Sequence, residues 1–115
     1  MQINDIRVFI PSTNYEESQD FYRALGFDMN YVSEDLSIFE SGDCTFFLQN
    51  YFNEELAKNF MFQLVVSNID EALEKISSIK ISGVRYEPIK NERWGKVIYL
   101  WGPSGELLHV TQLTS

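Results

Sequence analysis

Residues 94–110 have the sequence WGKVIYLWGPSGELLHV, which contains both tryptophans and the single histidine of the chain. Two apolar runs flank the short segment Pro103-Ser104-Gly105, whose proline fixes φ and whose glycine tolerates a positive φ. The flanking runs are rich in β-branched and aromatic residues, which favour a half-buried sheet. The stretch therefore predicts two strands joined by a tight turn.

A second hairpin of the same kind is predicted upstream, in residues 36–49. In front of each hairpin the sequence predicts a strand, a helix and a further strand. The first half is predicted to have its helix at 15–25, ended by Gly26, and strands at 6–11, 27–33, 36–40 and 44–49. The second half is predicted to have a helix capped by Ser67 or Asn68 and strands at 61–66, 84–88, 96–101 and 106–113.

This internal repeat predicts one domain, residues 1–115, built from two β-α-β-β-β modules at 6–49 and 60–113. Residues 50–59 are predicted to be the linker, with a short helix inside it, and residues 90–93 a polar loop. One module alone would leave a sheet face bare, so we expect the two modules to pair.

The composition excludes several classes of protein. A hydrophobic fraction of 44% in 115 residues is typical of a globular domain. The net charge of −8 argues against binding to nucleic acid and to anionic membrane surfaces, and the apolar runs are too short for a transmembrane helix. One cysteine, and an N-terminus without the features of a signal peptide, favour a reducing, cytoplasmic location.

Several short motifs occur in a characteristic order along the chain. They are ESQDFYRALGF at 17–27, VVSNIDEA at 65–72, SGV at 82–84, WG at 94–95 and GPSGEL at 102–107. In this order they resemble the vicinal oxygen chelate superfamily, which includes glyoxalases, bleomycin-resistance proteins and extradiol dioxygenases. The resemblance is nearest to the metal-free, bleomycin-resistance-like branch.

The resemblance implies an α+β fold in which the curled, mixed sheets of two β-α-β-β-β modules form a ligand cup. It also implies a homodimer, because many members of the superfamily build the pocket with help from a partner chain. Catalytic members hold one divalent metal with His and Glu ligands from the first and last strand of each module.

The implied metal positions fall near Arg7, Phe46, Met61 and His109. Arginine has no lone pair to offer, phenylalanine has no donor atom, and a thioether suits copper(I). His109 alone does not hold a metal, since a catalytic zinc-type site needs three protein ligands. We therefore expect neither a metal nor another cofactor.

Side chains alternate across a strand, so Arg7 and Phe9 are expected to face the cup from the first strand, and Met61 and Gln63 from the matching one. The full set of candidate ligand-binding residues is Arg7, Phe9, Phe46, Met61, Gln63, Trp94, Tyr99, Trp101 and His109. Several have a structural alternative: His109 as a core histidine, Arg7 in an internal ion pair or simply exposed, and the aromatic residues as core. No catalytic residue is assigned.

Three functions remain open from the sequence. The favoured one is a metal-free protein that binds a small aromatic or cationic compound in a dimeric cleft. The alternative is a metal-dependent lyase, isomerase or dioxygenase of the same fold. The third is an interaction module whose cup is filled by its own phenylalanines.

Overall fold

Residues 1–114, which the computed structural model describes, form nine strands and three helices. Ser115, the last residue of the predicted domain, lies outside them. The first half contains β1 (Phe9–Pro11), α1 (Tyr15–Leu25), β2 (Asp28–Ser33), β3 (Leu36–Ser41) and β4 (Cys44–Gln49). After α2 (Glu54–Asn59), the second half contains β5 (Met61–Val65), α3 (Ile69–Ser77), β6 (Arg85–Tyr86), β7 (Lys90–Glu92), β8 (Gly95–Trp101) and β9 (Leu107–Leu113).

Each half forms its own mixed sheet. The first sheet has the strand order β1-β4-β3-β2, and the second has the order β5-β9-β8-β6, with β7 also paired to β8. In both sheets the first strand of the half runs parallel to the last one, and the remaining pairs are antiparallel. The predicted α+β fold with two mixed sheets is confirmed, and the second half has one strand more than the predicted β-α-β-β-β order.

The strand boundaries differ most from the prediction at two places, and elsewhere by at most one residue. The first strand begins at Phe9 rather than Ile6, because the Asp5 carboxylate accepts hydrogen bonds from the Ile6 N–H and the Arg7 side chain just before it. The strand predicted at 84–88 is shortened to β6 and ends before Pro88, which has no N–H to donate, and the predicted polar loop at 90–93 contains the additional short strand β7.

Asparagine side chains begin both long helices. The Asn14 side chain accepts a hydrogen bond from the Glu17 N–H at 3.1 Å, and Asn68 accepts two, from Asp70 and Glu71. Gly26 ends α1 with a φ of 115°, a left-handed conformation that favours glycine. Within residues 1–114, no helix is long and apolar enough to cross a membrane.

One apolar cluster joins the two halves, because both sheets direct alternate side chains toward the helices. The fully buried members include Ile10, Phe21, Tyr22, Phe39, Leu48, Ile98, Leu100 and Leu108. The opposite side of each sheet carries the intervening residues. We call that side the open face.

A buried carboxyl group also joins the halves. Glu106 is 0% exposed, and one of its oxygens accepts a hydrogen bond from the Tyr22 hydroxyl of α1 at 2.8 Å. The other oxygen accepts from the Ser104 N–H at 3.0 Å. A Cβ on Gly102 would lie 2.5 Å from the carboxyl carbon of Glu106, so the turn requires glycine there. Burial raises the pKa of Glu106, and burial raises the pKa of Tyr22 as well.

Candidate ligand-binding site

The open face of the second sheet brings five of the predicted residues together. Gln63 on β5 pairs in register with His109 on β9, and His109 pairs in register with Tyr99 on β8. The three side chains therefore form one row across three strands. Met61 and Trp101 flank Leu107 in the neighbouring row, two residues along each strand.

His109 is the residue in this row with a buried polar atom, Nε2, that lacks a hydrogen-bond partner within residues 1–114. The ring packs edge-to-face on Tyr99, with centroids 5.0 Å apart. Gln63 donates to the Thr111 hydroxyl at 3.3 Å, and that hydroxyl donates to the His109 carbonyl. The row is thus held by local contacts, and Nε2 of His109 is a buried polar atom that they leave unsatisfied.

Trp101 carries a cation on one side of its ring. The guanidinium carbon of Arg85 lies 3.7 Å from the ring centroid, a cation–π geometry, because β6 pairs Arg85 directly with Trp101. Met61, in the same row, is 62% exposed. This end of the open face therefore combines an aromatic ring, a cation and an uncovered apolar side chain.

The open face of the first sheet is aromatic at the matching position. Phe9 on β1 is in register with Phe47 on β4, and the rings stack with centroids 4.6 Å apart. Phe9 lies five residues before the helix cap Asn14, as Gln63 lies five residues before the cap Asn68. The pairs Phe9/Phe47 and Gln63/His109 are therefore equivalent in the two halves.

The other predicted residues lie elsewhere. Arg7 precedes β1, is exposed, and pairs with Asp5 at 3.1 Å, a surface ion pair rather than a free guanidinium in a cup. Phe46 points to the helix side, where it stacks on Phe39, and its neighbour Phe47 lies on the open face in its place. Trp94 lies between β7 and β8 and is 47% exposed.

The donor set on the open faces does not fit the divalent metal of the catalytic superfamily members. Strand pairing puts the equivalent positions at Phe9, Phe47, Gln63 and His109, and not near Arg7, Phe46 and Met61 as predicted. These positions hold two phenylalanines, an amide and one imidazole. A catalytic site needs about three ligands of the His or carboxylate type. Within residues 1–114, no three His, Cys, Asp or Glu side chains are grouped closely enough to hold a metal ion.

Sequence reasoning missed Phe47, Arg85 and Glu106. Phe46 and Phe47 are neighbours on β4, so their side chains point to opposite sides of the sheet. The sequence does not show which of the two faces the helices. Arg85 is brought to Trp101 by strand pairing, which the sequence does not specify. Glu106 could have been identified from the sequence, because it is an acidic residue directly before a strongly apolar strand.

Comparisons with known proteins agree with this architecture. Neither a protein-family model nor a curated protein matches the sequence. A bleomycin resistance determinant encoded on the transposon Tn5 is 21% identical, with a TM-score of 0.79, covering 98% of this chain and 100% of that one. The antibiotic-binding protein TnmS3 from Streptomyces sp. CB03234 is 19% identical, with a TM-score of 0.82, covering 99% of both chains.

A further similar structure contains a metal ion. The fosfomycin resistance protein FosX from Listeria monocytogenes, in complex with Mn(II) and sulfate, is 16% identical, with a TM-score of 0.74, covering 98% of this chain and 93% of that one. Binding proteins and a manganese-containing protein thus share this fold. The chain therefore has the same fold as these bleomycin-resistance and antibiotic-binding proteins.

Proposed function

We propose that the chain is a metal-free binding protein, and that two copies form a cleft from their open faces for a small aromatic or cationic compound. The unpartnered Nε2 of His109, in a row with Gln63 and Tyr99, is the observation that carries this proposal. A ligand that hydrogen-bonds this atom would satisfy a buried polar group that the chain leaves open.

Aromatic surface next to this row favours a planar ligand. Tyr99 and Trp101 lie on the open face of the second sheet, and Phe9 stacks on Phe47 on that of the first. Such rings stack on planar groups and attract cations through their negative faces. The net charge of −8 would also raise the local concentration of a cationic compound.

The proposed pairing of two copies rests on uncovered apolar side chains. Phe9, Met61 and Val65 are 47%, 62% and 59% exposed, and all three belong to the edge strands β1 and β5. Apolar patches of this kind mark interaction sites more often than ordinary surface. The similar structures include a bleomycin-binding protein in complex with bleomycin, which is 21% identical to this chain.

Calorimetric titration with matched ligands tests the proposal. Proflavine, a planar aromatic cation, is compared with acridine, its uncharged counterpart at neutral pH, and with bleomycin. We expect proflavine to bind more tightly than acridine, and Tyr99→Ala to weaken it about tenfold.

Tyr31→Ala is the matched control, because Tyr31 is an exposed tyrosine on the edge strand β2 of the first sheet. It should leave the affinity unchanged. Sedimentation equilibrium of the same samples should show a dimer. Binding of none of the three ligands, or equal effects of the two substitutions, would contradict the proposal.

A further inference from the structure

Arg85 adds a positive charge to one edge of the open face of the second sheet. Strand pairing places four residues in register across β5, β9, β8 and β6, namely Met61, Leu107, Trp101 and Arg85. Residues in register point to the same side of a sheet, so the guanidinium belongs to the surface that also holds the unpartnered Nε2 of His109. The row that ends at Arg85 lies two residues, or about 7 Å, from the row of His109.

The guanidinium of Arg85 is held in place but is not neutralised. Its central carbon lies 3.7 Å from the centroid of the Trp101 ring, a separation at which the planar group stacks on the indole. Within residues 1–114 the ion pairs are formed by other side chains, and none of them includes Arg85. Stacking through the face leaves the N–H groups, which lie in the plane of the guanidinium, available to an acceptor.

A carboxylate is the acceptor that suits this group. A guanidinium donates two parallel hydrogen bonds to a carboxylate, and a side chain already stacked on a ring loses little further freedom on binding. Glu87 lies two residues away in the chain, but no ion pair joins it to Arg85 in the described part of the chain. The net charge of −8 disfavours each additional negative charge on a ligand, so a carboxylate monoanion is favoured over a phosphate dianion.

We propose that Arg85 binds a carboxylate group of the ligand, so that the open-face cleft selects planar aromatic acids. The proposal rests on the proposed function, because the carboxylate belongs to the same molecule that contacts His109 and Tyr99. A ring system of two or three fused rings spans the distance of about 7 Å between the two rows. A positively charged ring is compatible with this carboxylate, since the ring meets the aromatic side chains while the carboxylate meets the guanidinium.

Acridine-9-carboxylate and acridine-9-carboxamide are the matched probes, because they have nearly the same shape and differ in charge. We expect calorimetry to show that the carboxylate binds at least about tenfold more tightly than the carboxamide. Raising the ionic strength from about 0.05 M to about 0.5 M should remove most of this preference, because salt screens an exposed ion pair. The affinity of the carboxamide should be nearly the same at both ionic strengths.

Three substitutions test whether the preference comes from Arg85. Arg85→Gln should weaken the carboxylate about tenfold and the carboxamide less than about twofold. Arg85→Lys keeps the charge without the two parallel donors and should retain only part of the preference. Arg93→Gln is the matched control, because Arg93 is an exposed arginine near Gly95, at the end of β8 opposite to Trp101. It should leave the full preference.

Equal affinities of the two probes would overturn the proposal. So would a preference that Arg85→Gln leaves intact, or one that Arg93→Gln lowers to the same extent, which would be an effect of net charge alone. Proflavine distinguishes this failure from failure of the proposed function. If proflavine binds and Tyr99→Ala weakens it while the two probes bind equally, the cleft stands and Arg85 has no role in it. If proflavine and both probes fail to bind, the cleft and the role of Arg85 are overturned together.

Discussion

The two halves of the molecule share a framework and differ on their open faces. Both begin with a strand that runs parallel to the last strand of the half, and both start their helix at an asparagine cap. At the equivalent pair, the first half holds the stacked Phe9 and Phe47, and the second holds Gln63 and His109.

This difference shows which part of the sequence is free to change. Residues on the helix side are held by the common core, since cavities and polar groups there are costly. The open-face residues Phe9, Phe47, Gln63 and His109 lie outside the core cluster, so one half can be aromatic and the other polar on the same backbone. Specificity for a ligand is therefore expected to lie on the open faces.

The largest expected effect on the free energy of unfolding distinguishes the two sides of strand β4. Phe46 is 6% exposed and stacks on Phe39, while its neighbour Phe47 stacks on Phe9 on the open face. We expect Phe46→Ala to lower the free energy of unfolding by about 3–5 kcal/mol, and Phe47→Ala by about 1–2 kcal/mol. Urea denaturation measures both, and equal losses would contradict the assignment of the two sides.

The next effect concerns the junction between the halves. Tyr22→Phe removes the donor to the buried Glu106 carboxyl group and should cost about 1–3 kcal/mol. Tyr15→Phe removes a hydrogen bond to the uncharged Ser37 hydroxyl and should cost about 1 kcal/mol. If Tyr15→Phe is the more harmful in urea denaturation, the junction does not depend on Glu106.

Glu106 should also give the stability an unusual dependence on pH. Burial raises its pKa in the folded chain above the usual 4.5, so the folded chain binds this proton more tightly than the unfolded chain. Its contribution is full below the unfolded pKa and is lost as the pH rises through the folded pKa. Glu106→Gln cannot titrate.

Urea denaturation of the wild-type chain and Glu106→Gln, from about pH 4 to about pH 8, measures this effect. We expect the stability of the wild type relative to the variant to fall as the pH rises, while other titrating groups cancel between the two. A constant difference across this range would show that the carboxyl group is not held as described.

The smallest effect compares the equivalent helix caps. Asn68 accepts hydrogen bonds from two backbone N–H groups and Asn14 from one. Both alanine substitutions should cost about 0.5–2 kcal/mol, with Asn68→Ala the larger. Thermal unfolding followed by circular dichroism ranks them, and the reverse order would show that tertiary contacts outweigh the caps.

Local signals in the sequence were sufficient to predict the order of most helices and strands and several of their bounds. The helix at 15–25 and the strand at 44–49 were predicted with the bounds that the structure has, because caps and turns act over a few residues. The fold class followed from the repeated order of elements.

Nonlocal relations could not be predicted in the same way. Phe46 and Phe47 are both apolar, so the pattern does not show which of them faces the helices. The strand β7 exists because β8 offers it an edge, although its own residues are polar. The partner of Glu106 is Tyr22, which lies 84 residues away in the chain.

We propose that the row of Gln63, His109 and Tyr99 binds a ligand. Since the chain has a single histidine, the ring nitrogens of His109 give one assigned set of signals in ¹⁵N NMR spectra. During a titration with proflavine, we predict that these signals shift in proportion to the bound fraction measured by calorimetry. Proflavine binding that leaves the His109 ring signals unchanged would contradict the claim.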